Sequence, residues 1–102
     1  MSVIQKARDY LATPSNWTKG EMFRDARGIS TTRDKAVCAC LHGALSLAAG
    51  GRGTEAGRKA YDDAAEAVEA VLDGAPISVF NDDPKTTHAD VLAVLDKALY
   101  HG

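Results

Sequence analysis

The sequence lacks any apolar run long enough to cross a bilayer. A membrane helix needs roughly 18 continuous apolar residues, and polar or charged residues interrupt each hydrophobic stretch before that length. It also lacks a charge of one dominant sign. Twelve Lys and Arg stand against 14 Asp and Glu, a net charge of -2. That balance argues against a nucleic-acid binder working through bulk electrostatics, and it is too mild for a mimic of DNA. Cysteine is scarce, with two in the chain and no C-x-x-C. A redox pair, a zinc-finger spacing and a disulfide scaffold are therefore not expected. Proline is scarce too, three in all, and Pro14, Pro76 and Pro84 each fall where a helical pattern is broken. There is one tryptophan, Trp17, which makes it the natural anchor for pinning a loop to the core.

The remaining composition is that of an ordinary folded domain. The chain has 102 residues, 45% of them hydrophobic and 25% charged, which suits one globular domain over 1–102. The opening MSVIQKARDYLATP has no charged lead, apolar centre and small-residue cleavage site. A cytoplasmic location with free thiols is the expectation, and the glycosylation match NWT at residues 16–18 then carries no meaning.

Helical spacing dominates the chain. Val3, Ile4, Ala7, Tyr10 and Leu11 predict a helix over 3–12, with Ser2 as its cap and Pro14 as its stop. Val37, Leu41, Ala44, Leu45 and Ala48 predict a second over about 34–49, capped by Thr31 and ended by Gly50 and Gly51. Thr54 begins a third that runs to about residue 73. Its Tyr61, Ala64, Ala65, Val68, Val71 and Leu72 face inward, with Arg58, Lys59, Asp62, Asp63, Glu66 and Glu69 opposite. Thr87 and Asp90 form a capping pair for a fourth over 88–100. The β-branched and aromatic ISVF at 77–80 reads as a strand, and EMFRDARG holds another with a turn near Gly28. The expected fold is mainly α, a compact four-helix domain with a short two-stranded ribbon pairing residues near 22–25 and 77–80. Small side chains on the second and third helices make those two neighbours.

The stretch AVCACLHGAL, residues 36–45, is the one dense in reactive side chains. On a helix Cys38 and His42 share a face, a geometry that two metal ligands or a thiol–imidazole pair can use. Cys40 would point about 160° away from Cys38. A structural zinc needs four ligands, and no second cysteine pair supplies the rest. Packing is the preferred reading: Cys40 fills an apolar stripe, and Gly43 admits a close neighbour. GGRGTEAGRK at 50–59 misses the phosphate-loop spacing and follows no strand, so it reads as a helix connection with solvated charges. NDDP at 81–84 lacks the pattern of a calcium loop and reads as a turn. If the extended segments pair, Arg24 or Trp17 would meet Asn81 or Asp82.

WTKG (17–20), RDARG (24–28), CLHGAL (40–45), FND (80–82) and VLAVLDKAL (91–99) occur in this order. Together they resemble an uncharacterised family of small proteins from bacteria and their phages. The pattern is W-x-x-G, R-D-x-x-G, C-x-x-G-A-L, N-D and a final V-L helix. The resemblance spans nearly the whole chain from Trp17 onward and implies no assigned activity. It implies that Cys40 is the family-type cysteine, and it marks Trp17, Gly20, Arg24, Asp25, Gly43, Asn81 and Asp82 as the positions of interest. The phage association implies an accessory or host-interaction role.

The expected function is binding of a macromolecule, a protein partner first, with no catalysis, no cofactor and no membrane. Homo-oligomerisation stays open. The rival is a small enzyme or ligand binder using Trp17, Arg24, Asp25, Asn81 and Asp82. A nucleic-acid binder would require Arg24, Arg27, Arg33, Lys35 and Arg52 to gather on one face.

Overall fold

Four long helices close into a ring around one apolar core. The structure, a computed structural model, describes residues 2–101. Its helices are α1 (Val3–Leu11), α2 (Leu41–Ala48), α3 (Glu55–Val71), the short α4 (Ile77–Asp82) and α5 (His88–His101). α1 packs on α2, α2 on α3, α3 on α5, and α5 back on α1. Leu11, Leu41, Leu45, Val68, Val91 and Leu95 are fully buried where these faces meet. Each such side chain contributes about 1.5–3 kcal/mol relative to exposure. Ala7, Ala44, Ala64, Ala65 and Ala98 fill the same core and let the helix axes approach.

The helix starts follow the expected chemistry in three of the four long helices. Ser2 accepts from the Gln5 amide at 3.1 Å, and Thr54 accepts from Gly57 at 3.0 Å. Thr87 and Asp90 exchange bonds at 3.0 and 3.2 Å in a reciprocal capping box. The His88 ring, one residue later, donates from Nε2 to the carbonyl of Leu11, which ties the end of α1 to the start of α5. Among the described residues no helix is long and apolar enough to cross a membrane.

A small ribbon is present, with a different second strand from the one the sequence predicts. β1 (Phe23–Arg24) pairs antiparallel with β2 (Cys38–Ala39), Phe23 opposite Ala39 and Arg24 opposite Cys38. Residues 77–80 are not a strand. Pro76 precedes the first turn of α4, which buries Ile77 and Asn81 four residues apart on one face. α4 is thus a fifth helix, laid against α2 and α3.

The second helix is likewise shorter than expected. Residues 33–35 form a single 3-10 turn, residues 38–39 are β2, and α2 starts at Leu41. Its cap is not Thr31 but Cys40, whose Sγ accepts from the Gly43 amide at 3.3 Å. Val37 and the two cysteines favour extended backbone over helix, and β1 offers them a partner. Gly43 is where a close neighbour does arrive: a β-carbon there would run into the Met22 carbonyl and stand 3.0 Å from the Phe23 ring.

Candidate functional site

Asn81 lies at the centre of the polar structure. It is fully buried, and its carboxamide uses its whole bonding capacity. Oδ1 accepts from Trp17 Nε1 at 2.7 Å and from the Leu41 amide at 3.0 Å. Nδ2 donates to the Thr18 carbonyl at 3.1 Å and to Asp82 Oδ1 at 3.0 Å. Indole and amide N–H can only donate, so the orientation of the carboxamide is fixed. The Leu41 amide is one of the orphan donors at the start of α2. A side chain on α4 therefore caps α2, while Cys40 caps it from within.

Asp82 continues the junction by accepting from the Gly20 amide at 2.9 Å. That bond, then the Asn81 amide, holds its carboxyl below the usual range. Lys19 crosses above, donating to the Asp83 carbonyl at 2.7 Å with its ammonium 5.5 Å from the Trp17 ring centre.

Arg24 clamps the loop that carries these groups. Its Nε donates to Thr18 Oγ1 at 2.9 Å, Nη2 to the Lys19 carbonyl at 2.9 Å, and Nη1 to the Gly28 carbonyl at 3.0 Å. Asp25 organises the turn beyond β1. Its Oδ1 accepts from the Arg27 and Ile29 amides at 2.9 and 3.2 Å, and its Oδ2 pairs with the Arg27 guanidinium at 3.0 Å. Arg27 first, with those amides, lowers its pKa. Of the five residues of the rival ligand-site reading, Trp17, Asn81 and Asp82 thus come together, Arg24 joins them through Thr18, and Asp25 serves the turn at the far end of the ribbon.

Beside this junction lies a cleft of about 190 Å³ lined by Gly20, Glu21, Met22, Cys40, His42, Ser78 and Asp82. It brings a thiol, an imidazole, a hydroxyl and two carboxylates to one place. Their ionisation is unfavourable to nucleophilic chemistry. Burial raises the pKa of the Cys40 thiol, and burial, then Arg52, lowers that of His42. The cleft is thus lined by a protonated thiol and a neutral ring. His42 packs on Tyr61, ring centres 5.1 Å apart.

The candidate pair Cys38 and His42 does not share a helical face, because Cys38 is in β2 and His42 in α2. Among the described residues no three His, Cys, Asp or Glu side chains are arranged to hold a metal ion. Several contributors carry no signal in the sequence. Thr18, the Leu41 amide, Glu21 and Ser78 enter only because α4 is helical and docks where it does.

The chain belongs to the family of unknown function DUF6197, whose model matches residues 1–101. No curated protein and no solved structure matches it.

Proposed function

We propose that the protein is a small accessory factor that binds another protein through the surface built on the ribbon and the loop that follows it. The observation that carries this reading is the placement of Ile29 and Val37. Both are large aliphatic side chains, 52% and 50% exposed. They flank β1 and the Asp25 turn: the Ile29 carbonyl accepts from the Asp25 amide, and the Val37 amide donates to the Arg24 carbonyl, each at 2.9 Å. Strand spacing puts the two backbones about 10 Å apart. The Asp25 turn and the Arg24 clamp hold this segment in one shape, so little ordering cost accompanies binding.

Charge indicates the kind of partner. Residues 25–37 carry Arg27, Arg33 and Lys35 against Asp25 and Asp34, and with Arg27 paired to Asp25 a local excess of one positive charge is left in a chain of net -2. An acidic protein surface with an apolar centre fits that combination. The setting that the resemblance suggests, a phage or other mobile element acting on a host protein, agrees with such a role by analogy alone. The rival enzymatic reading is less well supported. The polar atoms of Trp17, Arg24, Asp25 and Asn81 are engaged in bonds that hold the fold together.

The test is affinity capture from host lysate with the wild type and with the double variant Ile29→Glu, Val37→Glu. Loss of a specific captured protein at unchanged thermal stability is the expected result. Equal capture by both proteins overturns the assignment of this surface.

A further inference from the structure

We propose that Arg33, Arg52 and Arg58 form a binding site for a small phosphate-bearing ligand at the connection between α2 and α3. The three side chains gather on the GGRGT stretch, residues 50–54. Arg33, from the loop before β2, lies against Gly51: a β-carbon there would be 3.2 Å from Nη1 and 3.3 Å from Cζ. Gly51 also has φ +91°, which favours glycine in its own right. Arg58, from the first turns of α3, donates from Nη1 to the Arg52 carbonyl at 3.4 Å. Arg52 stands over the Tyr61 ring, its Cζ 4.9 Å from the ring centre. Two segments distant in sequence thus deliver cations to one short loop.

Among the described residues none of the three forms an ion pair. The ion pairs among the described residues are Arg8–Asp96, Arg27–Asp25 and Lys59–Asp63. The carboxylates nearest in sequence, Asp34, Glu55 and Asp62, form none with this cluster. Like charges gathered on one loop repel, and what holds them is a carbonyl, an aromatic face and a glycine rather than a counter-charge. The amino end of the 17-residue α3 lies at the same place, its positive potential partly offset by Glu55 in the first turn. Planar guanidinium forks match the oxygens of a phosphate group in pairs.

The surroundings favour a small ligand over a nucleic acid. Arg24, one of the cations a nucleic-acid face would need, has all three nitrogens bonded to its own loop. Lys59 is paired with Asp63. Beyond it the exposed side of α3 turns acidic, with Asp62 and Glu66. A polyanion following the helix would meet repulsion within two turns, whereas a single phosphate or diphosphate group would not.

The test is an amide NMR titration of the whole protein with pyrophosphate and with inorganic phosphate, against chloride at matched ionic strength. Saturable shifts at residues 51–58 and at the Arg33 side chain, with Kd below about 1 mM, are expected. Arg33→Ala and Arg58→Ala should each weaken binding about tenfold with unchanged thermal unfolding. Lys97→Ala, an exposed cation on α5, should bind as wild type does. Absence of saturable shifts, equal affinity in Arg58→Ala and wild type, or binding of duplex DNA without any response to pyrophosphate would each overturn the assignment.

Discussion

The carboxamide of Asn81 accepts the backbone amide of Leu41 at 3.0 Å, forty residues away in the chain. One short helix thereby supplies the cap for another. Asn81→Ala removes this acceptor and leaves the Leu41 amide, the Trp17 indole and the Thr18 carbonyl without their partner in a buried setting. Leaving one such group unsatisfied costs about 1–3 kcal/mol. A loss of about 3 kcal/mol or more is expected, read as a shift in the urea midpoint. Asn81→Asp should be little better, because it exchanges two donors for a charge beside Asp82.

Gly43→Ala places a methyl group against the Met22 carbonyl, a backbone atom that moves only with β1. Overpacking of this kind costs about 1–3 kcal/mol. Gly53→Ala is the control. Nothing lies within 4 Å of its β-carbon position, so its urea midpoint should stay within about 0.5 kcal/mol of wild type.

Asp73 ends α3 in the left-handed region, with φ 57°. It also sets a carboxylate at the negative end of that helix. Asp73→Gly relieves both and should stabilise the protein by about 0.5–1 kcal/mol, raising the thermal midpoint by several degrees. A fall in the midpoint would show that the side chain has a role beyond the turn.

Stability should decline on both sides of neutrality, for different groups. His42 is held below its ordinary value of 6.5, chiefly by burial and then by Arg52, with Glu69 opposing. Below about pH 6.5 the unfolded chain takes up a proton that the fold resists, so stability falls as pH drops through that range. His42→Gln should flatten this part of the urea midpoint profile. At lower pH the depressed carboxyls of Asp25 and Asp82 add a further loss. On the alkaline side, the Cys40 pKa is raised above 9.0. Stability conferred by the protonated thiol is lost as pH rises past the unfolded value, and Cys40→Ser should shift that limb.

The sequence made the long helices readable because their faces alternate cleanly and their caps are local. Ser2, Thr54 and Thr87 each bond within three residues, so the signal and the structure lie together. Residues 77–82 misled because ISVF has the composition of a strand. Their inward face, Ile77, Phe80 and Asn81, is helical only when a buried asparagine counts as core, and nothing local declares it so. Residues 34–40 misled for the opposite reason. Val37 continues the stripe of Leu41 and Ala44 at helical spacing, yet β1 recruits the segment across 15 residues and leaves Val37 half exposed. The meeting of Trp17 with Asn81 is expected from the sequence only if residues near 22–25 and 77–80 pair as strands; they do not, and the contact arises because α4 is helical. The arginine cluster was visible as a composition of GGRGTEAGRK. The arrival of Arg33 from elsewhere was not.

Cys40 caps α2 through its sulfur while being 7% exposed, and Cys38, two residues earlier, is only partly covered. An alkylating reagent added to the native protein would consequently mark one position quickly and the other only when the amino end of α2 comes apart. The slow reaction is an intrinsic clock for that opening event, available without attaching a dye or changing a single residue.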